Sequence, residues 1–389
     1  MGNTVSTHAH FFNASLPNDD VTDYYIFVVA SRGSPSSQFR NKLFHDANLQ
    51  RVFFSLLSPA TLIGLSQTCR ALQAAIKGYI QESFDVNRLL RRFFPDPRQF
   101  RSLQASTGTI IAGSTALQFF DRSYYPGSDL DLYLPFGSQK AIGEYLLSIG
   151  YQFIPYRWQA PTFQEALRRK GTSSGLRPYS SRPIYGSRGR LGSFQSIVEV
   201  FTFTRPYDGQ KVQLIVAESN PMEVVFNFHS TCVMNVIAWD YAYCLYPRAT
   251  LEERRSLVCR ADGPNQVTAE AKYRARGWEI IHSLPPCAPY DRAFPSGLRF
   301  MGDPNTWRLK LNTAQILPPF PLSQHGSRLS TDPVAATSWR LDQIGPGGDV
   351  PHISYVTIKS NFLKNQYVCA DAAAVLMALE SVQGEADDE

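Results

Sequence analysis

Three periodicities divide the chain. Between residues 46 and 100 apolar side chains recur at three- and four-residue spacing, over 49–57, over 59–66 and over 69–76, and Pro59 stands where a helix can begin. From residue 109 the pattern changes. Thr109-Ile110-Ile111-Ala112 is a short apolar run of strand type, Gly113-Ser114 interrupts it, and 115–120 returns to helical spacing. Then Leu130, Leu132 and Leu134 alternate with Asp129, Asp131 and Tyr133, which predicts a strand with one apolar and one polar face. Two further alternating arms, 197–204 and 211–216, are joined by Pro206-Tyr207-Asp208-Gly209 and read as a hairpin.

Beyond the hairpin, 221–225 and 229–245 read as helices, the second rich in Cys, Met, Trp and Tyr and therefore buried. Charged helices are predicted over 251–258 and 266–283. The Pro/Gly-rich stretch 285–350 is expected to wrap the surface as extended segments. A strand at 352–358 and a helix at 371–381 follow, and an acidic tail occupies 383–389. The whole predicts an α+β fold: a mixed β-sheet core over 101–260 flanked by helices, preceded by a segment at 1–45 and a helical segment at 46–100.

The candidate chemistry lies where strand and helix signals alternate fastest. Successive strand side chains point to opposite faces, so Asp129 and Asp131 share one face while the leucines enter the core. Two carboxylates on one face are a ligand pair for Mg²⁺ or Mn²⁺. Upstream, Gly113 ends the strand and permits close backbone approach, the bare amides at Ser114 and Thr115 face the turn, and helix N-termini attract phosphate. The Asp129-Leu130-Asp131 pair also has a structural reading as turn or strand-start chemistry after Pro126-Gly127-Ser128. Against it, a charge inside an apolar strand is costly without a partner.

An apolar strand, Gly113-Ser114, a short helix and Asp129-Leu130-Asp131 on the next strand resemble the polymerase-β-like nucleotidyltransferase superfamily. The resemblance covers roughly 102–258. It implies that Gly113 and Ser114 hold the triphosphate of a nucleoside triphosphate, that Asp129 and Asp131 hold two divalent ions, and that by two-metal chemistry a nucleoside monophosphate passes to an acceptor hydroxyl of a nucleic acid, a protein or a small metabolite. The family also carries a third carboxylate on a neighbouring strand. At the corresponding position this chain has Gln213, a neutral donor; Glu199, on the other arm of the hairpin, is an alternative if the strand order brings it beside Asp131. The replacement leaves two function classes open: a metal-dependent nucleotidyltransferase, or a catalytically inactive protein of that fold acting as an interaction partner or adaptor.

Composition narrows the setting. With 389 residues, 43% hydrophobic and 13% aromatic content, the chain has ample material for a folded core. No run approaches the apolar length of a membrane span and no secretory signal is recognisable, so a cytoplasmic location is expected. Six scattered cysteines suggest neither a zinc site nor a disulfide framework, and are expected to be mainly buried thiols. The net charge of +5 is mild, but basic residues gather in a Gly/Ser/Tyr-rich loop at 171–193, with Tyr179 and Tyr185 between Arg177, Arg182, Arg188 and Arg190. That loop reads either as a solvated insertion or as a track for a phosphate backbone. Met1-Gly2-Asn3-Thr4-Val5-Ser6 fits an N-myristoylation signal, which by itself implies weak, reversible membrane association. The string Leu65-Ser66-Gln67-Thr68-Cys69-Arg70-Ala71-Leu72 resembles a degenerate F-box, implying a ubiquitin-ligase adaptor as partner; the same helices also read as a helical cap.

Overall fold

A computed structural model describes residues 46–168, 196–260, 266–285, 291–317, 332–342, 351–358 and 366–371. The myristoylation pattern, the basic loop, the C-terminal helix predicted from residue 371 and the acidic tail lie outside them, apart from Asp371 itself. The chain forms two units, one ending at Asp85 and one beginning at Val86. In the first, helices α1 (Ala47–Ser55), α2 (Pro59–Ser66) and α3 (Arg70–Ser83) follow the predicted spacing. Asp46 and Ser58 cap α1 and α2 by accepting backbone N–H groups, and Pro59 sits in the first turn of α2, where its missing N–H costs nothing. Phe54, Leu62, Leu72, Ile76 and Tyr79 form this unit's small core.

The second unit runs α4 (Val86–Leu90), α5 (Pro97–Thr107), β1 (Ile110–Ala112), α6 (Gly113–Asp121), β2 (Leu130–Leu134), α7 (Gln139–Ser148), β3 (Gln152–Ile154), α8 (Phe163–Arg168), β4 (Ile197–Thr204), β5 (Lys211–Ala217) and α9 (Pro221–Phe226). It continues through β6 (Asn235–Ile237), β7 (Tyr241–Cys244), β8 (Arg255–Leu257), α10 (Gln266–Ala275), β9 (Glu279–Ile281), β10 (Gly297–Phe300), β11 (Trp307–Lys310), β12 (Ser338–Asp342), β13 (His352–Ser354), β14 (Val356–Ile358) and β15 (Tyr367–Cys369). Eight strands make one mixed sheet in the order β11-β7-β6-β1-β2-β5-β4-β3. Only β2 and β5 pair in parallel within it; the other neighbours are antiparallel. The expected α+β class with a mixed sheet and an N-terminal helical segment is therefore the observed one.

The two faces of this sheet differ. Leu130, Leu132 and Leu134 are fully buried, as are Val212, Leu214, Phe201 and Phe203 on the neighbouring strands. Phe163 of α8 packs edge-on against Phe201 and Phe203, both at 5.2 Å. Gly143 of α7 admits that ring, since a Cβ there would stand 2.1 Å from it. On the opposite face Tyr133, Val200 and Ile215 join a larger apolar cluster with α9 and the C-terminal strands.

Several predicted helices prove to be strands. Residues 229–245 hold a 3-10 turn at Thr231–Val233 and the β6-β7 hairpin, closed by the Ala238 N–H on the Tyr241 carbonyl at 2.8 Å. A run apolar on all sides has no period to separate helix from strand, and Val236, Ile237, Tyr241 and Tyr243 are residue types that favour a sheet interior. The stretch 251–258 holds the end of a single wide turn, Arg248–Glu252, and then β8. The helix begun at Gln266 stops at Ala275; Gly277, at φ +95°, turns the chain into β9. The Pro/Gly-rich stretch supplies β10, β11 and β12 rather than only extended wrapping, and the predicted strand 352–358 is split between two sheets. Of the cysteines, Cys232, Cys244, Cys259 and Cys369 are buried and Cys69 is exposed; Cys287 lies outside the described residues. Among the described residues no helix is long and apolar enough to cross a membrane.

Candidate functional site

Strand β1 passes into α6 without a connecting turn. Gly113, expected as the end of the strand, is the first residue of the helix, at φ +67°, a left-handed conformation that a Cβ would penalise. A Cβ built there would lie 3.7 Å from the Tyr133 hydroxyl and 3.9 Å from Asp131 Oδ2. The glycine thus brings bare backbone up to the β2 carboxylate. No side chain caps this helix start, so its first N–H groups have no side-chain acceptor. Ser114 is half-buried beside them.

The loop entering β2 is anchored to α6 by two buried side chains. Gln118 accepts the Tyr125 N–H at 2.8 Å and donates to Ser128 Oγ at 3.0 Å, while Thr115 Oγ1 donates to the Asp129 carbonyl at 3.0 Å. Asp129 is consequently fixed at the strand entrance, where Lys211 Nζ meets its Oδ2 at 2.7 Å. Two residues on, Asp131 accepts no hydrogen bond and forms no ion pair among the described residues. Burial pushes its carboxyl up to about 6, and the negative charge of Asp129 acts in the same direction; Lys211 and Lys272 oppose them. Lys272 reaches this field from α10. Burial and neighbouring Arg276 lower its pKa, and the two aspartates pull it back.

The parallel register of β2 and β5 sets Asp131 beside Gln213. Gln213 Nε2 donates to Thr202 Oγ1 at 3.3 Å, and Tyr156 Oη lies 3.5 Å from the same nitrogen. Glu199 does not join them. Its strand is one further from β2, it pairs with Val216, and Val216 stands opposite Leu134, so alternation puts it on the leucine face, about 10 Å along the strand from Asp131. The alternative of Glu199 as third carboxylate therefore falls on strand order.

Asp129, Asp131, Gly113, Ser114 and Gln213 are thus brought together, and Glu199 is not. Lys211, Lys272, Thr202 and Tyr156 were not singled out from sequence. Lys211 opens the second hairpin arm two residues before Gln213, a same-face position that alternation would have flagged. Lys272 carried no local signal, because only tertiary packing brings α10 within the field of the two aspartates. Among the described residues no group of three or more His, Cys, Asp or Glu side chains is arranged to hold a metal. What the site offers is two carboxylates, one amide and an uncapped helix start, a donor set that fits a single divalent cation sharing its remaining positions with ligand oxygens. Comparison of the chain with family models, curated proteins and solved structures finds no match.

Proposed function

We propose that this protein binds a nucleoside triphosphate together with one divalent cation, in the manner of the polymerase-β-like nucleotidyltransferases that its Gly-Ser and Asp-x-Asp segments resemble, and transfers the nucleoside monophosphate slowly to an acceptor hydroxyl. The observation that carries this reading is Asp131: a recessed carboxylate with no donor of its own, set against the uncapped start of α6. Asp129 and Asp131 would hold Mg²⁺ or Mn²⁺, which would supply positive charge to the phosphate oxygens. Gly113 and Ser114 offer backbone N–H groups to those oxygens, and Lys272 adds a cation from the facing helix. In the transfer, the acceptor oxygen bonds to the α-phosphorus, the bond from that phosphorus to the bridging oxygen breaks, pyrophosphate leaves and the hydroxyl proton passes to solvent. Gln213 cannot take a proton or add negative charge, which is why transfer is slow.

A second reading is supported by the Lys211–Asp129 ion pair: an ammonium already occupies one of the two carboxylates, as in a site that has dispensed with metal. On that reading the chain is a catalytically silent interaction protein, with the F-box-like helices as the adaptor surface. Release of pyrophosphate from each of the four nucleoside triphosphates, measured with Mg²⁺ and with Mn²⁺, separates the two. The first reading expects a slow metal-dependent release, lost in Asp131→Asn and accelerated in Gln213→Glu. No release from either wild type or Gln213→Glu would leave the second.

A further inference from the structure

Strand order divides the candidate site into two sides. The uncapped start of α6 follows β1, on one side of the carboxylate strand β2; Gln213, Thr202 and Tyr156 lie on the other, toward β4. The first side is rich in backbone N–H groups and suits phosphate. The second is aromatic. Tyr156 stacks on Trp158 with ring centroids 5.0 Å apart and planes within 2° of parallel. Tyr156 is half-buried, its hydroxyl near Thr202 and Gln213, whereas Trp158 is 44% exposed. Between the two rings in sequence stands Arg157, also exposed.

This turn is held in place before any ligand arrives. Gln159 accepts the Tyr156 N–H through Oε1 at 3.0 Å and donates through Nε2 to the Val200 carbonyl of β4 at 2.9 Å, and its own N–H returns to the Tyr156 carbonyl at 2.9 Å. Trp158 keeps part of its indole in water beside the half-buried Tyr156. Thr202, against which the Tyr156 hydroxyl lies, stands about 10 Å across two strand spacings from Asp131, so an aromatic pair with an adjoining cation lies on the β4 side of the carboxylate, the chemistry that receives a base and its phosphate together.

We propose that Tyr156, Arg157 and Trp158 form the acceptor platform of this site, on which the terminal base of a single-stranded nucleic acid stacks against Trp158 while Arg157 meets the adjoining phosphate. The proposal rests on the nucleotidyltransferase reading for its orientation, with the nucleotide on the α6 side and the acceptor on the β4 side. Base stacking on an exposed ring is tolerant of sequence, so the platform selects for unpaired ends rather than for a motif. Gln213 lies between the platform and Asp131, where a terminal hydroxyl would enter.

The test uses the full chain and fluorescein-labelled twelve-nucleotide oligoadenylate and oligouridylate, as RNA and as DNA, in fluorescence anisotropy titrations at fixed salt. Wild type is expected to bind the single strands, Trp158→Ala to bind them roughly 5- to 150-fold more weakly, the range for losing one stacked base, and Trp158→Phe to recover most of that loss. Arg157→Ala is expected to weaken binding and to flatten its salt dependence. The RNA and DNA arms identify the source of the strand. A blunt duplex should compete poorly, because its bases are already stacked. Equal affinity in wild type and Trp158→Ala, with both variants melting like wild type, would overturn the proposal, as would a wild type that binds no single strand. Metal-dependent binding of nucleoside triphosphate is measured separately. If it is present while Trp158→Ala leaves oligonucleotide binding unchanged, the platform fails and the nucleotide reading stands. If it is absent while the strands still bind through Trp158, the reading fails and the stacking site remains.

Discussion

Asp131 and Asp303 are both carboxylates withdrawn from solvent, and their surroundings are opposite. Asp303 is 3% exposed and receives the Arg299 guanidinium, which is itself 1% exposed, along with the backbone N–H groups of Phe300 and Asn305. Arg299 also donates to the Leu245 carbonyl at 2.9 Å and to Thr306 Oγ1 at 3.1 Å, so the pair ties β10 to the end of β7. Asp131 has a glycine backbone, a neutral amide and a second carboxylate around it, with Lys211 and Lys272 acting only through their charge, and it takes no hydrogen bond among the described residues. A carboxylate whose lone pairs are filled by the fold serves the fold. One left unfilled in an apolar strand costs stability, and that cost is explicable if something outside the described residues is meant to meet it.

The sharpest way to break this comparison is to remove both groups. Asp303→Ala strands a buried guanidinium and is expected to cost about 3–5 kcal/mol in chemical denaturation. Asp131→Asn should do the reverse at pH 7, leaving stability unchanged or raising it by up to ~2 kcal/mol, because it removes a charge that burial, first, and neighbouring Asp129, second, both disfavour. A large loss of stability in Asp131→Asn would show that Asp131 is structural after all.

The pH dependence of that difference follows from the raised folded-state value. Asp131 ordinarily titrates at 3.8 and is pushed to about 6, so between these values the native state holds a proton that the unfolded chain has released. Its destabilisation is full above about pH 6 and fades as the pH falls toward 4. The advantage of Asp131→Asn should therefore shrink by ~2 kcal/mol between pH 7 and pH 4. His229, lowered to about 4 by burial, destabilises the protein over the same acid range, but it is present in both proteins and cancels in the difference. A difference that stays flat across this range would contradict the assigned shift.

Two smaller effects refine the picture. Gly113→Ala places a Cβ at φ +67° and is expected to cost about 1–2 kcal/mol, with a further loss of nucleotide binding because the methyl group stands between α6 and Asp131. Lys211→Met removes an ion pair whose partners are each 36% exposed, and melting should change by less than about 1 kcal/mol. If Lys211 merely stands in for a cation, its removal should tighten Mg²⁺ binding, measured by calorimetry.

The same contrast between local and distant causes explains how far the sequence could be read. The core of the candidate site was legible because its logic is local: Gly113-Ser114 between apolar spans, Asp129 and Asp131 in strict alternation with leucines, and a hairpin marked by Pro206 and Gly209. Even Gln213 followed, since counting along the second arm reaches the residue that the parallel register sets beside Asp131. Glu199 could not be settled that way, because only the strand order decides that β5, not β4, adjoins β2. The β6-β7 hairpin reads as helix from sequence for a related reason: nearly all of its strand residues are buried, and burial without a period carries no secondary-structure signal. Lys272 and the Tyr156-Trp158 stack acquire meaning only once tertiary packing sets them against the carboxylate strand.

The most direct test of the account is a calorimetric titration of wild type and Asp131→Asn with nucleoside triphosphate, in Mg²⁺ and in its absence. The account predicts binding by the wild type that needs the cation and disappears in Asp131→Asn, while both proteins melt cooperatively. Binding that survives Asp131→Asn, or no binding by the wild type under any of these conditions, would contradict the assignment of Asp131 as the poised carboxylate of a nucleotide site.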